Sequence, residues 1–332
     1  MDKKIGNIIK YALSALMAGA LLWITFKGID WEMFKQGLAN CKWGYVLLSI
    51  VIGVYSFWIR SRRWRETILP IDPSTSRLTT FNAVNISYII NMVVPRGGEV
   101  VRCGIITRHS AKDANGQKMA SFEKVVGTVL VDRLWDTLVM ILILIVIFFA
   151  FKERWGSFFS DKLDSINFSS TYILLIAVGV ALLLSLLCYL FHDKNKVLGK
   201  LWNFAKGILV GVRDSFKMPS VGRFITLTVL LWFSYWATSA AVILALDGVG
   251  LGFENLGGLD ALFLMSVGSI SSIIPVPGGF GAYHYLICMA LSTIYGIPTE
   301  TGLIFAVLSH ESQALAQILC GSASYISETI RK

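Results

Sequence analysis

The chain has 332 residues, of which 55% are hydrophobic and only 15% charged, a balance that excludes an ordinary soluble globular domain. Its net charge of +9 comes with no nucleic-acid-binding motif, so no nucleic-acid partner is expected. The lysines and arginines read instead as markers of cytoplasmic loops. Five scattered cysteines form no C-x-x-C pair, which argues against a disulfide framework or a zinc finger.

In chain order, Lys3, Lys4 and Lys10 precede an apolar run from Tyr11 to Phe26. Ala18-Gly19-Ala20 has the small residues of a cleavage site. The apolar run nevertheless continues through Leu21-Leu22-Trp23-Ile24, so an uncleaved first membrane helix is expected over 8–26. Further runs at 43–60, 124–151, 171–191, 222–246 and 301–326 approach the length that crosses about 30 Å of hydrocarbon. They are continuous rather than alternating, which excludes a β-barrel.

Regions 78–109 and 260–295 differ. Each has two apolar halves, individually short for a crossing. The first is interrupted at Pro95, Gly97 and Gly98. The second is interrupted at Pro275, Pro277, Gly278, Gly279 and Gly281.

Charge sets the expected topology. Arg60-Ser61-Arg62-Arg63-Trp64-Arg65 and the basic segment 102–124 flank the first broken region, so both its ends are expected in the cytoplasm. The acidic loop 247–260, without lysine or arginine, and Glu300 flank the second, so both its ends are expected outside. The predicted fold is all-α: one polytopic membrane domain over 1–332 with six spanning helices, two re-entrant hairpins and cytoplasmic termini. Ten helices, with every hairpin half spanning, keep the same loop sides.

Both halves, about 1–151 and 171–326, then read span, span, broken hairpin, span, with opposite starting sides. That is the pattern of inverted-topology repeats. Simple Pro/Gly kinks are the plainer reading. Residues 197–217 place Val197, Leu201, Ile208 and Val212 on one helical stripe with lysines off it. They read as a cytoplasmic interfacial helix or as a helix packed on the bundle.

Charges at membrane depth cost about 2.5–3.5 kcal/mol each and need a reason. Glu99 and Arg102 share a face of one short helix, and Asp132 and Asp136 share a face of another, beside Arg133. Arg96, Arg102 and Arg133 have the planar fork that suits a phosphate; a structural ion-pair network, Glu99 with Arg133 for instance, is the plainer use. In the second half, His284 follows the break, and His310-Glu311 lies inside the last span. The spacing of 26 between the histidines matches no metal motif, so no metal and no cofactor are expected. A hydrogen bond shared by the two imidazoles is expected instead. The Arg60–Arg65 cluster reads as a topology signal, with recruitment of anionic lipid as a second use. No P-loop, G-x-S-x-G or H-E-x-x-H is present, so no enzyme is expected.

The stretches NMVVPRGGEVVRCGII, VLVDRLWDTL and IIPVPGGFGAYH resemble the lysylphosphatidylglycerol synthase transmembrane-region family of flippase-like proteins. The resemblance covers nearly the whole chain. It implies a multi-pass protein of a prokaryotic cytoplasmic (inner) membrane that handles lipids. Larger members carry a soluble aminoacyl-transferase domain. That domain is missing from this sequence, so synthase activity is not implied. Pro95, Gly97, Gly98, Glu99, Arg102 and Arg133 match the family's pattern. His284 and His310 depart from it, standing where the family usually has a glutamate and often an arginine. The expectation is a flippase for a phospholipid or polyprenyl-linked lipid, with anionic or zwitterionic headgroups as partners. A membrane subunit supporting a separate transferase, or a channel, is the alternative.

Overall fold

The computed structural model describes residues 3–150 and 196–331. The expected span 171–191 and loop 152–170 lie outside them. The described residues form eleven α-helices and no strand, which makes the protein an all-α polytopic membrane protein. In chain order these are α1 Lys3–Phe26, α2 Trp31–Asn40, α3 Trp43–Ile68, α4 Arg77–Val93, α5 Gly97–His109, α6 Phe122–Ala150, α7 Lys196–Ser215, α8 Val221–Leu246, α9 Gly258–Ser271, α10 Ala282–Tyr295 and α11 Thr299–Ile330.

Four of them, α3, α6, α8 and α11, are long and apolar enough to cross a membrane. On α6, Leu134, Leu138, Leu142, Val146 and Phe149 are exposed. Such an apolar stripe at near-helical spacing suits contact with lipid chains. α3 runs eight residues past the expected end at 60 because Trp64 and Ile68 continue its buried face. α2 falls between the expected spans 8–26 and 43–60, where no apolar run marks a helix. The Asp30 carboxylate starts it by accepting from the Glu32 and Met33 amides, and Phe34 anchors it in the core.

Both broken regions are helical hairpins. In the first, α4 packs against α5 across Val94-Pro95-Arg96. Pro95 has no N–H to continue α4. Arg96 takes a left-handed φ of 60°, reversing the chain before Gly97 opens α5. The Asn91 side chain then accepts a bond from the Gly98 amide at 2.8 Å. In the second, a 3-10 turn at Pro277–Gly279 separates α9 from α10, with φ positive at Gly278, Gly279 and Gly281. These halves have 13 to 17 residues. The two breaks meet: an Arg96 guanidinium nitrogen donates to the Ile273 carbonyl at 3.3 Å.

The core divides accordingly. One cluster (Trp64, Ile68, Val84, Ile106, Val125) gathers around the first hairpin. A larger one (Phe34, Leu246, Phe263, Leu291, Phe305) gathers around the second. α3 and α8 lie along each other between them, and α1 packs on the second break through Ala18, Val276 and Ala282. α7 packs on the start of α6. A Cβ at Gly211 would collide with the Lys124 carbonyl oxygen, so the two helices touch main chain to main chain. Leu209 of α7 and Phe216, just past its end, stay exposed.

Candidate functional site

Three helices bring charge to one place. α3 contributes Arg60 and Arg63, three residues apart and both buried. α6 contributes Asp132, Arg133 and Asp136, and α5 contributes Glu99 and Arg102. Arg63 donates to Asp132 at 2.6 Å and stands 2.7 Å from Asp136. Arg60 donates to Asp136 at 3.0 Å and, from its other terminal nitrogen, to the Tyr235 hydroxyl of α8 at 2.9 Å. Glu99 sits between Arg102, at 2.5 Å, and Arg133, which donates to it. Arg102 also lies over the Trp64 ring at 4.6 Å and 4.0 Å from Asp132.

Burial differs sharply across this network. The side chains of Arg63 and Asp132 are 0% exposed and that of Arg133 is 48% exposed. Four guanidinium groups face three carboxylates, so the network carries a surplus of one positive charge, and its open edge is Arg133. Buried charges are tolerated only when paired in this way.

The structure therefore gathers Glu99, Arg102, Asp132, Arg133 and Asp136. Arg96 stands apart at the hairpin break. Arg102 is buried among its partners. Sequence reasoning missed Arg60 and Arg63, because the basic run looked like a loop beyond the membrane. The overlooked signal was Trp64, an aromatic residue that continues the apolar period within that run. The other two arginines of the run do not join. Arg65 donates to the Thr75 carbonyl, and Arg62 lies over Trp58, beside an open cavity of about 290 Å³ that it lines with Arg77 and Phe81.

A second cluster stands at the other break. His284 of α10 and His310 of α11 lie with ring centroids 5.2 Å apart, edge to face. The imidazoles do not share a hydrogen bond as expected; each turns to Glu311 instead. His284 Nε2 is 3.0 Å from Glu311 Oε1, and His310 Nδ1 is 3.4 Å from the same oxygen. His310 Nε2 faces the Gly278 carbonyl at 3.0 Å. Phe280 and Tyr283 pack their rings on His310, and the Tyr283 hydroxyl pairs with Ser309. The breaks thus carry different chemistry: an arginine-rich network beside the first and a His/His/Glu group at the second. Ligand atoms of that group lie within 4.8 Å of one another, close enough for one small cation.

No curated protein and no solved structure matches the chain. The sequence pattern of the lysylphosphatidylglycerol synthase TM region matches residues 7–321, which take in both broken hairpins and every charge of the network. The chain belongs to that family.

Proposed function

We propose that the protein moves a phosphate-bearing membrane lipid between leaflets, holding the phosphate at Arg133. Family membership implies a lipid-related role in the membrane. The observation that carries the finer reading is the surplus positive charge with Arg133 at its open edge. Around Arg133 the α6 surface is apolar and exposed at Leu130, Leu134 and Leu138, so acyl chains and a headgroup can approach together.

The chemistry follows from charge cost. A phosphate crossing hydrocarbon unpaired is prohibitive. A guanidinium already held in place by Glu99 can offer its remaining donors to phosphate oxygens with little reorganisation. Glu99 keeps Arg102 as its partner while Arg133 exchanges. The broken hairpins add polar backbone at the same depth, which is tolerated only where protein buries it or water reaches it. The matched order of the two halves supports inverted repeats meeting at their breaks. The protein then needs no catalytic group of its own.

The test is reconstitution. Vesicles with the wild-type protein should equilibrate a fluorescent phosphatidylglycerol or polyprenyl phosphate between leaflets, and folded Arg133→Gln protein should do so at least tenfold more slowly. Wild-type vesicles that move no phosphate-bearing lipid, or a folded variant at the wild-type rate, overturn the reading.

A further inference from the structure

His284 and His310 aim ring nitrogens at one carboxylate oxygen, and a third contact decides which of those nitrogens carries hydrogen. The Gly278 carbonyl can only accept, so His310 Nε2 donates to it. In the neutral ring Nδ1 is then a lone pair, yet it stands 3.4 Å from Glu311 Oε1, an acceptor facing an acceptor. Something positive belongs between them. His284 Nε2 converges on the same point, 3.0 Å from that oxygen.

We propose that His284, His310 and Glu311 bind a divalent transition metal, with Zn2+ the best match. Two imidazole nitrogens and one carboxylate oxygen are ligands zinc favours, and three such ligands leave a fourth position open. Bonds of about 2.0–2.1 Å to a tetrahedral ion place ligand atoms about 3.3 Å apart; the two contacts to Glu311 are 3.0 and 3.4 Å, and the group as a whole spans up to 4.8 Å, so the two rings draw together to close on the ion. The Gly278 bond supplies the outer-shell partner that orients a ligating histidine. His284 Nδ1 has no such partner, which lowers affinity about 10–100-fold against a fully supported site. Glu311, with a side chain 40% exposed, marks the open side, where a water or another oxygen ligand completes the shell. The ion would tie α10, α11 and the second break together. This site does not depend on the lipid reading.

The experiment uses the full chain carrying a tag without histidine, stripped with chelator and dialysed against Zn2+ alone. Wild type should retain one Zn2+ per chain beyond the content of Glu311→Gln and His310→Asn. Co2+ should give visible absorption of the tetrahedral kind in wild type only. Zn2+ should also raise the wild-type Tm, a readout that stands if a variant fails to fold. Zinc retained equally by the folded variants overturns the site. So does a wild-type protein with no bound zinc and no Tm shift.

Discussion

Arg63 and Arg133 belong to one network but differ in burial, and burial decides what each is worth. Removing the partner of a fully buried charge leaves the other orphaned in a low-dielectric interior, at about 3–5 kcal/mol. Arg63→Ala should therefore destabilise the protein by about 3 kcal/mol, the low end of that range, since fully buried Asp132 loses its 2.6 Å partner and keeps only Arg60 at 3.8 Å and Arg102 at 4.0 Å. Arg133→Ala should cost about 1 kcal/mol or less, as expected of a half-exposed pair, because Glu99 retains Arg102. Denaturant unfolding in detergent compares the two. Equal losses would mean that Arg133 acts as a structural tie rather than as an open edge.

At the scale of elements, α5 offers an internal comparison between two of its glycines. A Cβ at Gly98 would meet Asn91 Oδ1 and the Ser87 backbone carbon, both at 2.8 Å, whereas one at Gly104 would meet nothing within 4 Å. Gly98→Ala should push α5 off α4 and destabilise by about 1–3 kcal/mol. Gly104→Ala should be neutral or stabilising by about 0.5–1 kcal/mol, since alanine loses less backbone entropy in a helix. Thermal unfolding of the pair checks whether close approach, rather than glycine itself, is what the hairpin needs.

The connection between α3 and α4 carries a pH dependence of known sign. Burial raises the Asp72 carboxyl, but the hydroxyls of Ser74 and Ser110 and the amides of Ala111 and Ser74 outweigh it and hold the carboxyl below its ordinary value. A carboxylate lowered by folding stabilises above its unfolded pKa of about 3.9, and that stability fades as pH falls through the folded value. The Ala111 amide, corrected for intrinsic exchange, should be protected at pH 6 and lose protection toward pH 3. Asp72→Asn should abolish that change; a wild-type amide equally protected at both pH values contradicts it.

For the whole molecule, the inverted-repeat proposal makes a prediction about sides. The connection after α5 should face the cytoplasm and the one before α9 should face outward. With the native cysteines removed, single cysteines at Asn115 and Gly257 should be labelled by an impermeant reagent from opposite sides of the membrane. Both labelled from one side would refute the inverted arrangement, whatever the lipid assay shows.

The membrane class, the ends of most described spans and both hairpin breaks were legible in the sequence. Each rests on local physics: apolar run length against bilayer thickness, a proline's missing N–H, a glycine's access to positive φ. α2 escaped because its ten residues, though amphipathic, are too few and too polar overall to stand out beside the long apolar runs that flank them. Glu99, Arg102, Arg133, His284, His310 and Glu311 could be named as candidates, since charge or histidine in an apolar run costs free energy wherever it points. Their partners could not. Arg63 meets Asp132 across 69 positions and Arg60 meets Tyr235 across 175, distances over which no periodicity reports. Only the packing of α3 against α6 and α8 decides that two arginines of a basic run are buried while Arg62 and Arg65 of the same run stand outside the network. Packing also decides that two histidines share a glutamate rather than each other, because α11 presents Glu311 between them.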